Sequence, residues 1–372
     1  MPKEGDPGPR TAIGEWRPVI KKSAANEYRS RDPFSFDESI SERVAEVLNN
    51  KKILVTGGAG FIGSNLCRAF WDQGNWVTCL DDLSIGHRSN IEDLEGKEGF
   101  RFIQGDMRDS EVVREAVKGN EIVFHQAALG SVPRSIADPL ATNEVNVSGF
   151  LQVLVAARDE GVERYVFATS SSVYGDIEDL PKTEERIGSP ISPYAVSKYV
   201  DELYAKVFAD LYGIDVVGLR YFNVFGQGQD PEGPYAAAIP KFVKAFLKRE
   251  PPIVHGDGTQ MRDFTHVDNV VRANELAATV QDPDALNTVY NVACGQGTEL
   301  LELLEVLKRV LADRVPDLEE VEPVHGEPRV GDVQYSTASI EKIKGKLGYE
   351  PQVGLEEGLR RTMDHYIRCY TS

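Results

Sequence analysis

The 372-residue sequence predicts an α/β protein built as a doubly wound parallel sheet with a smaller α/β lobe. Three observations carry this expectation. Residues 51–82, KKILVTGGAGFIGSNLCRAFWDQGNWVTCLDD, run from an apolar stretch through a glycine-dense turn and an amphipathic stretch to a second apolar stretch ending in two acids. From there to residue 220, strand-like and helix-like runs alternate, the signature of parallel strands joined by right-handed crossovers. Beyond Tyr221 the elements shorten, and glycine and proline accumulate, as in GQGQDPEGPYA.

Taken in order, residues 1–50 form an extension in which 1–36 are rich in Pro, Gly and charge. Phe34 and Phe36 are its candidate apolar anchors, and 37–48 (DESISERVAEVL) has the period of a short helix. A first domain is expected over 51–220. Ile53, Leu54 and Val55 read as a buried strand, and Phe61, Ile62, Leu66, Phe70 and Trp71 recur on a helical period. Strands follow at 76–80, 100–104, 121–125, 165–169 and 216–219, and helices at 111–117, 143–158 and 192–212. The lobe, 221–372, has helices expected at 239–247, 267–280, 299–312, 338–347 and 354–369, with strands at 253–255, 289–293 and 319–324. A segment near 264–293 is a candidate to return to the first sheet.

The glycine turn is the first chemical signal. Gly57 allows a tight turn, Gly60 lets a pyrophosphate approach the main chain, and Gly63 lets the helix lie close to the strand. The helix start, with Phe61 and Ile62, turns its unpaired N–H groups and its dipole toward phosphate. Asp81, with Asp82 beside it, stands where a carboxylate accepts from both ribose hydroxyls and repels a 2′-phosphate. The stretch therefore predicts NAD bound to a Rossmann-type sheet, with the ligand at the carboxyl ends of the strands.

Composition narrows the partners. A net charge of −18 opposes nucleic acid and anionic membrane as partners. Four cysteines at 67, 79, 294 and 369 show neither metal spacing nor a disulfide framework, and single buried thiols are expected. Six scattered histidines predict no metal site. No stretch approaches 18 apolar residues and the N-terminus lacks a signal-like run, so a soluble, cytoplasmic protein is expected.

The second signal is Tyr194 with Lys198, four apart on one face of the helix in PYAVSKYVDELY. Free tyrosine ionises at about 10, too high for a base at neutral pH. A neighbouring ammonium and a nicotinamide cation both favour the phenolate. Ser170, at a strand end, is placed to hydrogen-bond a reacting hydroxyl and relay its proton. Ser171 and Ser172 are chemically as suitable, and spacing does not choose among them.

With these residues in hand, the chain resembles the extended short-chain dehydrogenase/reductases that act on nucleotide sugars, over roughly residues 50–370. TGGAGFIGSN, GDMRD, HQAALGSVPRS, NEVNVSG, SSSVYG, SPYAVSK, RYFNVFG, GDGTQMRDFTHVDN and PRVGDVQYS carry the resemblance. The LGSVPRS segment is similar to that of the UDP-N-acetylglucosamine 4-epimerases. The resemblance implies that Asp106 and Met107 cradle adenine and that Ala127 and Ala128 line the cofactor channel. It implies Ser170, Tyr194 and Lys198 as the catalytic set, with Tyr194 and Lys198 also touching NAD. Gly130, Ser131 and Ser171 would meet the sugar, Asn223 the uridine diphosphate, and Arg262 and Arg329 its phosphates. Ser336, four residues after Asp332, would sit beside the sugar's 2-position and admit an N-acetyl group; its bland alternative is a helix cap near Ala338.

The implied activity is C4 epimerisation of a UDP-N-acetylhexosamine through a transient 4-keto sugar, serving polysaccharide biosynthesis. The alternatives are a UDP-glucose/galactose or UDP-uronate 4-epimerase, a nucleotide-sugar dehydratase or decarboxylase, and a non-catalytic NAD-binding sensor. Dehydratases of the family carry Asp-Glu where this chain has Ser171 and Ser172, and serine replaces neither acid nor base. Helices 143–158 and 192–212 carry apolar residues on more than one face, among them Val196, Tyr199, Val200, Leu203, Val207 and Phe208. The family pairs these helices across a two-fold axis, so a homodimer is expected.

Overall fold

The computed structural model describes residues 48–230, 237–327 and 333–371. The N-terminal readings on 1–47, including the helix at 37–48, lie outside the described residues, as do Arg329 and Asp332.

The first half alternates strand and helix as expected: β1 (Lys52–Thr56), α1 (Phe61–Asp72), β2 (Trp76–Asp81), β3 (Phe100–Gln104), α2 (Ser110–Val117) and β4 (Ile122–His125). Then come α3 (Val132–Ala137), α4 (Pro139–Asn143), α5 (Phe150–Asp159), β5 (Arg164–Ser170), α6 (Pro193–Tyr212) and β6 (Asp215–Tyr221). The second half runs β7 (Val224–Phe225), α7 (Ala238–Leu247), β8 (Ile253–His255), β9 (Met261–Arg262), β10 (Thr265–His266), α8 (Val267–Thr279), β11 (Thr288–Val292), β12 (Thr298–Glu299) and α9 (Leu300–Leu311). It closes with β13 (Val324–Gly326), β14 (Tyr335–Ser336), α10 (Glu341–Leu347) and α11 (Leu355–Thr371).

Seven strands form one sheet in the order β11-β6-β5-β4-β1-β2-β3, and every pairing in it is parallel. β11 is an edge strand of this sheet, and α8 packs on one of its faces. Both faces are covered. Ile53, Val55, Leu66 and Phe70 join Val270, Ala273 and Tyr290 on one side. Leu54, Val123, Phe150, Leu154, Tyr165 and Phe208 fill the other. A strand buried on both faces needs apolar residues at successive positions rather than alternation, which is how β1 and β4 read. A third core, from Phe242, Phe246, Leu303, Leu307, Leu359 and Tyr366, holds α7, α9 and α11 together in the lobe.

Several boundaries depart from expectation. The helix expected at 143–158 starts earlier, at Pro139, and its Glu144–Gly149 stretch is wound as a π-helix. Asn146 in that stretch is buried and links outward: its Oδ1 accepts from Leu129 N at 2.7 Å and its Nδ2 donates to Ser197 Oγ at 3.0 Å. Helix α3 escaped the sequence reading; Ser131 caps it by accepting from Arg134 N at 3.2 Å. The strand expected at 319–324 is a 3₁₀ turn, Leu318–Glu320, and pairing begins only at Val324. Pro323 has no N–H to give to a ladder, which delays the strand. Helix α10 begins at Glu341 rather than 338, so Ser336 does not cap it. The cysteines are free, and Cys67 and Cys79 are buried, but Cys369 is exposed, against the expectation of buried thiols throughout.

Helix α6 turns Ala195, Ala205 and Phe208 inward, while Val196, Leu203, Val207 and Leu211 remain on the surface at 47–61% exposure. Among the described residues, the lobe does not cover that second apolar face. No helix among the described residues is long and apolar enough to cross a membrane.

Candidate active site

The strand ends converge on a crevice of about 630 Å³. Its wall takes Thr56 from β1, Asp81 from β2, Asp106 after β3, Gln126 and Ala127 after β4, Ser170 from β5 and Tyr221 from β6. Helix α6 adds Tyr194 and Lys198, and the lobe side adds Asn223, Gln229 and Asp230. A parallel sheet presents all its carboxyl ends on one edge, so residues as far apart in the chain as Thr56 and Asp230 meet there.

Two glycines leave no room for a side chain. Gly57 has φ +67°, and a Cβ there would lie 2.7 Å from Ala127 Cα. A Cβ on Gly63 would lie 2.1 Å from Gly57 O. Helix α1 therefore starts hard against the turn, and Gly60, its N-cap, supplies no side chain to occupy the helix start. Asp81 braces this turn: its Oδ2 accepts from Ala59 N at 3.0 Å and its Oδ1 from Leu83 N at 2.8 Å. Burial raises its pKa against those two amides. Asp82, more exposed, accepts from Ser84 N at 2.9 Å. The Arg108 guanidinium beside Asp106 holds that carboxyl below its usual range.

Of the expected cofactor residues, Gly57, Gly60, Phe61, Ile62, Gly63, Asp81, Asp82, Asp106, Met107, Ala127 and Ala128 all line the crevice. A cradle that a Cβ would fill, an open helix start and a carboxylate at the end of β2 fit a dinucleotide. Tyr194 stands at the first turn of α6, whose N-cap Ser192 accepts from Ala195 N at 3.1 Å. Lys198 is 2% exposed; its Nζ donates to Ala168 O at 3.1 Å and to Asp201 Oδ2 at 3.1 Å. Ser170 is on the crevice wall, and its Oγ accepts from Ser172 N at 3.1 Å. Ser171 and Ser172 belong to the 3₁₀ turn that follows β5 and are not among the residues of that wall.

The substrate residues divide. Gly130, Ser131 and Asn223 line the crevice; Asn223 takes φ +33° and its Nδ2 donates to Asp263 O at 3.1 Å. Arg262 and Ser336 do not join that wall. They sit opposite each other where β9 pairs with β14, and Arg262 Nη1 donates to Met261 O at 2.8 Å.

Sequence reasoning missed Gln126, Tyr221 and Arg134, which all line the crevice. Tyr221 Oη donates to Gln126 Oε1 at 3.1 Å and accepts from Asn274 Nδ2 at 2.9 Å, and burial pushes its pKa up to about 12. The signals were present in HQAALGSVPRS and RYFNVFG, but only a tertiary pairing with Asn274 on α8 distinguishes Tyr221 from an ordinary core tyrosine.

The fold and this crevice define an NAD-binding α/β enzyme with a tyrosine–lysine pair among the lining residues. The profile of the NAD-dependent epimerase/dehydratase family matches residues 53–293, and the chain belongs to that family. It is 38% identical to a UDP-N-acetylglucosamine 4-epimerase from Methanobrevibacter ruminantium solved with UDP-N-acetylmuramic acid, over 86% of this chain and 99% of that one, with a TM-score of 0.80. A Methanocaldococcus jannaschii protein described as a putative UDP-glucose 4-epimerase is 36% identical over 84% of this chain and 97% of its own length. A Bacillus cereus UDP-glucuronic acid 4-epimerase, solved with UDP-glucuronic acid and NAD, is 29% identical over 86% of this chain and 100% of that one, with a TM-score of 0.77.

Gly57→Ala tests the cradle. With φ positive and no room for Cβ, purified variant is expected to carry at most about a tenth of the wild-type NAD, assayed as nucleotide released on acid denaturation. Wild-type loading would remove the turn from the cofactor site.

Proposed function

We propose that the protein is an NAD-dependent 4-epimerase of UDP-sugars whose preferred substrate is a UDP-N-acetylhexosamine, interconverting UDP-GlcNAc and UDP-GalNAc. The observation that carries the reading is the meeting of Tyr194, Lys198 and Ser170 on one wall with the glycine cradle and the Gly130–Ser131 segment on the other. Bound NAD supplies a hydride acceptor and donor at the sugar's C4. Gly57, Gly60, Gly63 and the start of α1 would hold its pyrophosphate, Asp81 its ribose, and Asp106 with Met107 its adenine.

The chain's own task is proton handling and orientation. Tyr194, as phenolate, takes the O4 proton as C4 is oxidised and would return it to O4 after the 4-keto sugar has turned its other face to the hydride donor. Lys198 steadies the phenolate by charge, and Ser170 bonds the same hydroxyl. The buried setting of Lys198 keeps its charge strong toward the phenolate. Asn223 would orient the uridine diphosphate, with Arg262 and Arg329 as phosphate donors from the lobe. Gly130 and Ser131, small and polar, leave room for an acetamido group.

A second reading, a UDP-uronate 4-epimerase, draws on Arg134, which shares the wall with Ser131 and could receive a carboxylate. Product analysis by NMR separates the two. UDP-GlcNAc, UDP-Glc and UDP-GlcA are supplied singly, and the N-acetyl sugar is expected to turn over fastest. Turnover confined to UDP-GlcA would make the second reading the correct one.

Tyr194→Phe is expected to keep its NAD and lose roughly 10²–10⁴-fold in kcat, the worth of a positioned acid–base group. Near-wild-type turnover by the loaded variant would sink the proton assignment.

Ser336 is offered as the sugar gate on the family resemblance of its loop; in the fold it pairs across from Arg262, off the crevice wall. Ser336→Tyr is expected to abolish turnover of UDP-GlcNAc while sparing UDP-Glc. Equal loss on both sugars would speak for a structural role instead.

The uncovered face of α6, with Val196, Leu203, Val207 and Leu211, supports pairing with a second copy, for such a stripe on one helix is costly to leave in water. Light scattering at micromolar concentration is expected to give a dimer mass, and Leu203→Glu with Val207→Glu a monomer. A monomeric wild type would refute the pairing.

A further inference from the structure

The inward face of α6 carries one acid that the mechanism leaves without a task. Asp201 follows Lys198 by one turn and is 0% exposed. Its Oδ2 accepts from Lys198 Nζ at 3.1 Å, while its Oδ1 has no hydrogen-bond partner. An ammonium has three N–H donors. One goes to Asp201 and one to Ala168 O, which leaves one for the crevice that Lys198 lines.

The groups packed around the pair do not replace Asp201. Tyr165 on β5 is buried near it with an unpartnered hydroxyl. The Tyr165 ring stacks at 6.0 Å on His125 of β4, whose Nδ1 meets Thr56 Oγ1 at 3.1 Å and whose Nε2 is unpartnered. Burial, with the nearby Lys198 charge adding, pushes His125 down to about 3, so the ring is neutral at physiological pH. Glu202, next on the helix, is matched by Arg220 of β6 at 2.7 Å. Lys198 is therefore the cation that Asp201 answers, and Asp201 the acid that answers Lys198.

We propose that Asp201 is a positioning residue that sets how much of the Lys198 charge reaches Tyr194. As a carboxylate it offsets the ammonium; as a neutral acid it leaves the ammonium's field on the phenol undiminished. The proposal rests on Tyr194 being the base. Burial pushes Asp201 up to about 7, further than the Lys198 charge holds it down, and the Glu202 charge adds to the rise. A raised carboxyl pKa means the neutral form prevails below about 7 and the carboxylate above it. The exchange thus falls at neutrality, where a solvated aspartate, at about 3.9, would be ionised throughout.

Asp201→Asn keeps the shape and an oxygen for Lys198 but cannot ionise. In the NAD-loaded protein, phenolate absorbance is followed against pH, taking the difference from the matching Tyr194→Phe protein. Tyr194 is expected to ionise at lower pH in the Asn variant than in wild type. The kcat–pH profile should lose a step near pH 7 that wild type shows. The ratio of variant to wild-type kcat should change roughly three- to tenfold between pH 6 and 8.5, with KM for the UDP-sugar held within about twofold. A purely structural role lowers kcat by one factor at every pH and leaves the Tyr194 titration in place; that outcome overturns the proposal. If the Asn variant does not fold, Asp201→Ser repeats the test with a smaller neutral group. A wild-type profile that is flat from pH 6 to 8 overturns it with no variant at all. The absorbance titration needs no turnover, so inactivity on every UDP-sugar would sink the epimerase reading while this measurement still decides whether Asp201 governs Tyr194.

Discussion

Three consecutive inward positions of α6, Lys198, Asp201 and Glu202, bury charge against the central strands, and the site depends on how that burial is satisfied. A buried ion without a partner is strongly destabilising, so each of these side chains admits only placements that supply one. Glu202 finds Arg220 on β6 through two nitrogens, at 2.9 and 2.7 Å, and Thr169 on β5 at 2.7 Å. Lys198 finds Asp201 and the Ala168 carbonyl. These bonds tie the rotation and height of α6 to β5 and β6. Tyr194, one turn before Lys198, is thereby held in the same crevice that Ser170 lines. Arg220 also reaches Glu184 O at 3.1 Å and stacks on Tyr174 at 5.0 Å, so the loop after β5 is held by the same charges.

The opposite wall is governed by exclusion rather than charge. The start of α1 approaches the turn so closely that Gly63 faces Gly57 O with no space for Cβ. The same turn meets the backbone of Ala127 after β4. Asp81 closes the arrangement by holding Ala59 and Leu83 through their amides. A phosphate can come near the main chain only because these contacts omit side chains, and the helix dipole then favours its charge. One wall is rigid through packing of backbone on backbone, the other through buried ion pairs. A reaction that moves a proton and a hydride over short distances needs both held still.

The lobe joins this frame through short pairings instead of a shared sheet. β10 pairs with β7, and β9 is flanked by β12 and β14. Asp263 anchors the junction: its Oδ1 accepts from Cys294 N at 2.9 Å and its backbone carbonyl from Asn223 Nδ2. Burial pushes this carboxyl up to about 6. Because β11 lies in the main sheet and β12 in the lobe, the chain crosses between the two within a few residues of Cys294. Asn223, two residues after β6, lines the crevice, while Arg262 stays in the lobe's own sheet.

Much of this was legible in the residues alone. Strand and helix identities through Tyr221 followed from periodicity, because a parallel sheet with both faces covered requires continuous apolar strands and half-apolar helices. The glycine spacing and the acid at Asp81 announced a dinucleotide, and the four-residue spacing of Tyr194 and Lys198 put both on one helical face, which lines the crevice. What sequence could not decide was everything set by distant partners. The π-wound stretch at Glu144–Gly149 follows from Asn146 reaching Leu129 and Ser197, contacts 17 and 51 residues away. That Ser170 lines the crevice while Ser171 and Ser172 do not accompanies the 3₁₀ turn that begins at Ser171. Asp201 reads in sequence as one more acid on a helix. Only the sheet beneath it, which removes water from its surroundings and leaves Lys198 as its counter-charge, gives that acid a distinct chemistry.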